Sequence, residues 1–540
     1  MLIKSDPDVV ESFLTDASFM RDGKAERVIF PESAEDVAEV LRVATRDHTS
    51  VSVSGAGTGT VGGRIPFAGI VLATDKLSQI KSVVHKNGGG RAVAEAGVLL
   101  SDLQRFVDSE ELFYPPDPTE RSCFLGGTVA TNASGARSFK YGATRNYVQR
   151  LKVVLPTGEI LNLRRGELHA DACGQITIPL PSGGVLEAQL PDYRMPNTRK
   201  HAAGYYCAPN LDVLDLFIGS EGTLGVIVGI EVSLLPKPQG LLSGVVFFES
   251  RAKLLEFVQE AREVSLANRR AGGQAGRLGS LLEKALEVSK REDLLASLDE
   301  SPAPQPERRL SIDARALEYF DNESLNFLRQ KYEAIPAASV GAIFFEQETT
   351  PETEDALMND WLLLLEKHGA LADQSWFATE EKDQAKLREF RHALPVLMNE
   401  WFASHKQRKV STDMCLPDEA FPEMLSYYEE TLRTSELRYT IFGHIGDNHV
   451  HVNILPRNDE EAIRAREIYV EFLKRAASLG GTLSAEHGIG KLKREYLKLF
   501  YSEEHLRQMA ALKLAFDPAG ILGRGNIFSE ELLGPKRQVV

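Results

Sequence analysis

No run of residues in this sequence approaches the roughly 18 consecutive apolar positions that a membrane-spanning helix needs, so no transmembrane segment is expected. The opening stretch, Met1-Leu-Ile-Lys-Ser-Asp-Pro-Asp, lacks the basic segment and apolar core of a secretory signal. Cysteine is scarce. The four residues, Cys123, Cys173, Cys207 and Cys415, are scattered and form no Cys-x-x-Cys. That spacing argues against an iron–sulfur cluster held by this chain, a zinc ribbon or a disulfide framework, and makes a reducing cytoplasm the expected compartment. Basic residues are outnumbered, 62 against 77 acidic, for a formal net charge of −15. A general nucleic-acid binder should look basic, so nucleic acid is not an expected partner. No internal repeat is present.

What the chain does have is length and texture. Its 540 residues are enough for about two to four domains. Ser33-Ala-Glu-Asp-Val-Ala-Glu-Val-Leu-Arg-Val-Ala pairs a capping serine with apolar residues at helical spacing, which predicts a helix over 33–48. From 50 to 240, short Val/Ile/Leu runs alternate with glycine clusters and read as strands. Pro236-Lys-Pro238 marks a boundary. Residues 240–430 alternate strand-like segments with amphipathic helices over 251–268, 352–368 and 381–402, an α+β pattern. Residues 272–309, rich in glycine, charge and proline, read as an exposed excursion.

The densest glycine cluster is Ser54-Gly-Ala-Gly-Thr-Gly-Thr-Val-Gly-Gly63. Gly57, Gly59 and Gly62 match G-x-G-x-x-G, but a dinucleotide-binding turn must open a helix. Arg64-Ile-Pro66 and Gly69 follow instead and oppose one. Successive glycine amides can still cradle a phosphate without a helix. Two further small-residue segments, Pro115-Pro-Asp-Pro118 with Leu125-Gly-Gly-Thr-Val-Ala-Thr-Asn-Ala-Ser-Gly135, and Phe217-Ile-Gly-Ser-Glu-Gly-Thr-Leu-Gly225, suit a backbone laid against a large flat ligand. Ordinary glycine-rich loops are the bland alternative for each segment taken singly.

The C-terminal third holds Gly443-His-Ile-Gly-Asp-Asn-His-Val-His-Val-Asn453. The alternation from 449 puts residues 449, 451 and 453 on one strand face. Downstream, Gly481-Thr-Leu-Ser-Ala-Glu-His-Gly-Ile-Gly-Lys491 sets Glu486 and His487 among small residues. Two histidines and a glutamate suit a catalytic metal with open positions, with a free histidine as base. The bland alternatives are a solvated polar strand face and a solvated Glu-His pair.

These segments closely resemble the FAD-linked D-2-hydroxyacid dehydrogenases of the vanillyl-alcohol oxidase / p-cresol methylhydroxylase superfamily, over roughly residues 22–530. The resemblance implies an α+β fold. A two-part PCMH-type FAD-binding domain (1–240) would precede a substrate cap with a central antiparallel sheet covered by helices (241–470). A C-terminal segment (471–540) would return to the FAD domain. It implies that Ser54, Gly55, Ala56, Gly57, Thr58 and Gly59 hold the FAD pyrophosphate. Pro116, Asp117, Gly126, Gly127, Thr131, Asn132, Ser134, Gly135, Glu221, Gly222 and Ile227 would line the rest of the flavin nucleotide. Residues 51–63 contain no histidine, so non-covalent FAD is expected.

Carried over in the same way, His444, His451 and Glu486 match the ligands of a divalent metal, with zinc preferred. His487 matches the base and Asn453 a substrate-contacting amide. Asn448-His449 departs from the usual Gly-Asn, which leaves His449 open as a further ligand. Asp517-Pro-Ala-Gly-Ile-Leu-Gly-Arg-Gly-Asn526 departs at 523–524 and carries Asn526 where the family has lysine, at a position expected to contact the flavin. Arg391 aligns with the family's substrate arginine, and Lys409 is a looser match to its lysine. Bidentate pairing suits arginine to a substrate carboxylate.

The resemblance implies oxidation of a 2-hydroxy acid, D-lactate first, with electrons passed to a quinone, cytochrome, electron-transfer flavoprotein or iron–sulfur protein. The alternative is a non-redox FAD-containing transferase resembling alkylglycerone-phosphate synthase. A non-catalytic FAD-binding companion subunit is a third reading, which the histidines speak against. A cytoplasmic homodimer is the assembly considered, with peripheral association with the inner membrane left open.

Overall fold

The computed structural model describes residues 1–86, 88–286 and 310–534, with side chains placed to residue 271 in the second stretch. The chain folds as two compact units. One combines Met1–Lys237 with Trp401–Val540; the other is Pro238–Glu400. These units divide the chain differently from the expected ranges 1–240, 241–470 and 471–540, because residues 401–470 fall within the first.

The first unit opens with a four-stranded sheet in the order Leu2–Lys4, Arg27–Phe30, Ile70–Ala73, Val51–Ser54. The helix Ala34–Arg46 covers it. Ser33 caps this helix by accepting the Asp36 amide, and Val37, Ala38, Leu41 and Ala44 pack onto Val51, Ile70 and Leu72. A one-sided apolar stripe with a serine cap is why this stretch is a helix and why it lies here. No helix follows the glycine cluster: residues 55–69 are turns and bends. A second, antiparallel sheet has the order Ile80–Lys86, Gly89–Glu95, Val226–Pro236, Val148–Val154, Ile160–Arg164, with Leu112–Phe113 on the far end of Val226–Pro236. The small-residue segment 125–135 is not wholly extended, since Leu125–Ala130 closes into a short helix. Where backbones meet most closely, glycine is required. A Cβ on Gly135 would fall 2.0 Å from the Asp117 carbonyl oxygen.

The chain's end returns to the first sheet. The Val51 amide donates to the Ile521 carbonyl (2.9 Å) and the Gly523 amide to the Val51 carbonyl (3.0 Å), so the tail adds alongside the strand that feeds the glycine loop. A fully buried ion pair holds this return. Lys513 Nζ donates to Asp517 (2.8 Å) and to the carbonyls of Thr223 and Leu522, while Asp517 accepts the amides of Ile521 and Leu522.

The second unit is built on antiparallel strands in the order Trp376–Ala378, Gly240–Phe248, Gly341–Thr349, Ala314–Asp321. Helices Arg251–Leu286 and Glu354–Lys367 cover it. Leu254, Phe257 and Ala261 are buried from the first, and Trp361 from the second stacks on Phe345 at 4.0 Å. The expected excursion at 272–309 differs in its first part. The helix runs on through Gly272, Gly273 and Gly276 to Leu286; the remainder, 287–309, lies outside the described residues.

Asp517→Ala removes one partner of a buried pair and leaves Lys513 without its counterion. The expected loss is about 3–5 kcal/mol of stability, read by chemical denaturation.

Candidate active site

The histidine segment is a short hairpin. Strand Tyr439–Gly443 leads into a 3-10 turn, Ile445–Asp447. Asn448 then takes the left-handed conformation (φ 56°), and His451–Ile454 returns antiparallel. A tight turn with asparagine at the left-handed position throws the flanking histidines to one side. The His449 and His451 rings lie 4.5 Å apart, and His444 is 5.4 and 5.7 Å from them. Residues 482–487 run alongside through bridges of Cys415 to both His449 and Thr482, which brings in Glu486 and His487. One ligand atom from each of His444, His449, His451 and Glu486 lies within 4.8 Å of the others. The His487 ring stacks on His451 at 5.6 Å and 16°.

Two buried carboxylates govern the charge here. Glu486 Oε1 accepts from Lys200 Nζ (2.7 Å) and Ser134 Oγ (3.1 Å), and lies 3.4 Å from His444 Nε2. Burial opposes its ionisation, but Lys200 and His444 outweigh burial and hold the carboxyl well below its usual range. Lys200, itself fully buried, also meets the Gly135 carbonyl (3.0 Å) and Asp447 (3.2 Å). Asp413 lies 3.2 Å from His487 Nδ1 and 3.2 Å from His449 Nε2. It accepts from Lys493 Nζ (2.7 Å), Ser484 Oγ (2.5 Å) and the amides of Glu486 and His487. Burial again opposes its charge, and His487 and Lys493 reverse the balance.

The donor set suits a divalent metal. Burial depresses the pKa of His449, and more strongly that of His451, which keeps both in the neutral form that ligates. His449 Nε2 faces Asp413, while its Nδ1 is buried without a hydrogen-bond partner. An imidazole buried in that state fits a missing ligand. His449 therefore enters the ligand set on equal geometric terms with His444, His451 and Glu486.

The segments expected at the flavin converge on the same unit. Ser54 ends the strand Val51–Ser54, and residues 55–59 form the turn beyond it, with Gly57 at φ 80°. Ser134 and Gly135 reach the Glu486–Lys200 pair directly. Asp117 pairs with Arg121 and Arg137. The Pro116 carbonyl accepts from Gln104 (3.1 Å). Thr131 Oγ1 donates to the Gly127 carbonyl, and Asn132 bridges the His201 carbonyl and the Arg145 amide. Gly126 packs against Ala96, whereas a Cβ on Gly127 would meet open space.

Glu221 accepts the amides of Ile489 and Gly490 (2.7 Å each), joining 219–225 to the Glu-His segment. Gly222 follows it at φ 69°, and Ile227 is buried in the strand Val226–Pro236. Asn526 donates to the carbonyls of Gly63 and Glu221 and accepts from Lys491 Nζ (2.7 Å). These cross-links account for an asparagine at a position where a lysine was expected.

The substrate residues are placed less uniformly. Asn453 is buried on the histidine strand, its amide donating to the His451 carbonyl (3.3 Å). Lys409 is exposed, just before the strand Val410–Ser411. Arg391 belongs to the second unit, on helix Glu381–His405, where Nε donates to buried Glu318 (3.0 Å). Sequence reasoning missed Lys200, Asp413 and Lys493 as members of the charge network, and Glu318 as the partner of Arg391. Only Asp413 carried a signal, as an acid in the short Ser411-Thr-Asp413 segment.

Residues 25–164 match the family described as FAD binding domain, and residues 306–527 the family described as FAD linked oxidases, C-terminal domain. The chain is 28% identical to glycolate oxidase subunit GlcD of Bacillus subtilis, over 96% of this chain and 92% of that one. It is 29% identical to D-lactate dehydrogenase of Anaerostipes hadrus (94% and 90%) and 28% to mitochondrial D-2-hydroxyglutarate dehydrogenase of Danio rerio (96% and 81%). Among solved structures, an alkyldihydroxyacetonephosphate synthase shares the fold, with a TM-score of 0.62 at 15% identity over 96% of this chain and 81% of that one. An FAD binding domain thus stands ahead of an FAD linked oxidases C-terminal domain in a chain similar over most of its length to proteins named as D-lactate and D-2-hydroxyglutarate dehydrogenases.

Proposed function

We propose that this protein oxidises a D-2-hydroxy acid, with D-lactate as the leading substrate, to the 2-keto acid and passes the electrons to an external acceptor. The observation that carries this reading is the buried cluster of His444, His449, His451 and Glu486 with His487 stacked beside it. The complete set speaks against an FAD-containing transferase that needs no metal. Relatives named D-lactate and D-2-hydroxyglutarate dehydrogenases support the substrate class.

In this reading FAD, bound non-covalently, supplies the acceptor for the substrate's hydride. His444, His451 and Glu486, with His449 as a further ligand, would hold a divalent metal, whose contribution would be to lower the pKa of the substrate hydroxyl. The remaining work falls to side chains. His487 Nδ1 faces Asp413, which fixes the tautomer and leaves Nε2 as the basic nitrogen that takes the hydroxyl proton. Its side chain is 34% exposed while its neighbours are buried, so it is the member of the group a substrate can reach. Arg391 pairs with the substrate carboxylate, and Glu318 holds its guanidinium in place. Lys409 adds a second cation, and Asn453 offers an amide.

One observation favours the rival reading, a non-redox FAD-containing transferase: the fold shared with alkyldihydroxyacetonephosphate synthase. No helix among the described residues is long and apolar enough to cross a membrane. The acceptor fits a quinone, cytochrome, electron-transfer flavoprotein or iron–sulfur protein.

An anaerobic visible spectrum tests the reading. D-lactate, D-2-hydroxyglutarate, glycolate and L-lactate are added in turn; bleaching of the flavin band by a D-acid is expected. A flavin band that no hydroxy acid bleaches would favour the transferase. In His487→Ala, stopped-flow reduction is expected to slow by about 10²–10⁴-fold with FAD still bound, and a near-normal rate would remove His487 as base. Glu486→Gln should lower the bound metal measured by plasma emission and abolish reduction. Unchanged metal content would break the ligand assignment.

A further inference from the structure

Two cations stand at the ends of the glycine loop, Lys491 buried and Arg64 partly buried, and among the described residues neither touches a carboxylate. Arg64 lies beneath it: a Cβ on Gly57 would fall 2.6 Å from the guanidinium carbon. All five of its N–H donors go to neutral oxygens. Nε donates to the Thr15 carbonyl (2.9 Å). One terminal nitrogen donates to Ser54 Oγ (3.1 Å) and the Gly55 carbonyl (3.2 Å). The other donates to the carbonyls of Ser12 (2.9 Å) and Thr15 (2.6 Å). Burial lowers the guanidinium's pKa, while Asp16 and Asp75 act on it only from beyond contact. At the far end, Lys491 Nζ donates to the carbonyls of Gly62 (3.5 Å) and Gly63 (3.2 Å) and to Asn526 Oδ1 (2.7 Å). Burial pulls its pKa down to about 8 against the opposing pull of Glu221, whose own oxygens accept the amides of Ile489 and Gly490.

The same contacts orient the loop. A trans peptide points its C=O and N–H in opposite directions, and no cis peptide occurs among the described residues. The Gly55 carbonyl faces Arg64, so the Ala56 amide faces away from it. The Gly57 carbonyl is taken by the Ala17 amide (3.2 Å), which turns the Thr58 amide the other way. The amides of Ala56, Gly57, Thr58 and Gly59 have no acceptor among the described residues. A run of unspent amides between two unbalanced cations is a seat for an anion.

A cation drawn partly or wholly out of water with no carboxylate in contact costs stability, and an anion seated beside it offsets that cost. We propose that Arg64 and Lys491 are the countercharges for a pyrophosphate seated on residues 55–63, and that Arg64 also sets the direction of the loop's amides. This rests on the reading of residues 54–59 as the seat of the FAD pyrophosphate. It adds two residues that the family resemblance did not assign.

The test uses the full-length protein stripped of flavin, as wild type, Arg64→Gln, Lys491→Gln, the double variant and Arg64→Lys. FAD is titrated by flavin fluorescence, and the melting temperature of each flavin-free protein is recorded. Each glutamine variant is expected to bind FAD about tenfold or more weakly, and the double variant more weakly still. Arg64→Lys, which keeps the charge, should stay closer to wild type than Arg64→Gln. The flavin-free Arg64→Gln and Arg64→Lys proteins both lose the fork of hydrogen bonds and should melt alike, so the difference between their affinities reads the charge. Unchanged affinity in the glutamine variants would overturn the inference. So would an Arg64→Lys protein that binds FAD as weakly as Arg64→Gln, which marks a merely structural brace. A wild-type protein that takes up no FAD would overturn the cofactor reading itself, and this inference with it.

Discussion

The histidine site depends on one constraint: two carboxylates buried side by side must stay ionised. Burial alone would neutralise Asp413 and Glu486. Each is kept charged by a lysine with little or no exposure, Lys493 for the first and Lys200 for the second, together with the histidines around them. From that balance follow the orientation of His487 and the docking of Ser134 and Gly135 against the Glu-His segment. Lys200 links the small-residue segment at 135 to both Glu486 and the Asp447 turn, so one ammonium fixes the relative position of three loops.

Much of this was legible in the sequence where the signal is local. The serine cap and apolar stripe predicted the helix that forms over Ala34–Arg46. Arg64-Ile-Pro66 correctly argued against a helix after the glycine loop. Alternation placed His449 and His451 on one face, and their rings do meet. The rest is tertiary. Lys200 sits between an arginine and a histidine with nothing to distinguish it from a surface lysine, and its role exists only once Glu486, 286 residues away, is beside it. The long helix ending at Leu286 was masked by its glycines. Each glycine costs about 1 kcal/mol in a helix interior, which weakens the local preference without ending the helix.

The fold by itself does not choose the chemistry. A protein with a TM-score of 0.62 to this one is named as a synthase, while sequence relatives are named as dehydrogenases. The scaffold therefore presents a flavin-binding architecture, and the reaction follows from the side chains arranged upon it. Here the candidates are a histidine hairpin over residues 439–454 and a Glu-His segment cross-linked to residues 219–225 through Glu221.

The return of the tail to Val51 has a consequence for how the chain comes to be folded. The strand that feeds the glycine loop is near the start of the sequence, yet its outer neighbour is formed by residues 521–523. During synthesis that neighbour emerges after the whole second unit. Until then the first unit has an unfilled strand edge and a partly exposed core at Val51 and Leu72. Such an edge is open to wrong pairings, and closing it late joins segments of very high sequence separation. The second unit, by contrast, is continuous in sequence and can be complete before its partner. The order of assembly is written into the topology: the continuous unit first, and the unit that carries the glycine loop sealed only once residues 521–523 have followed it.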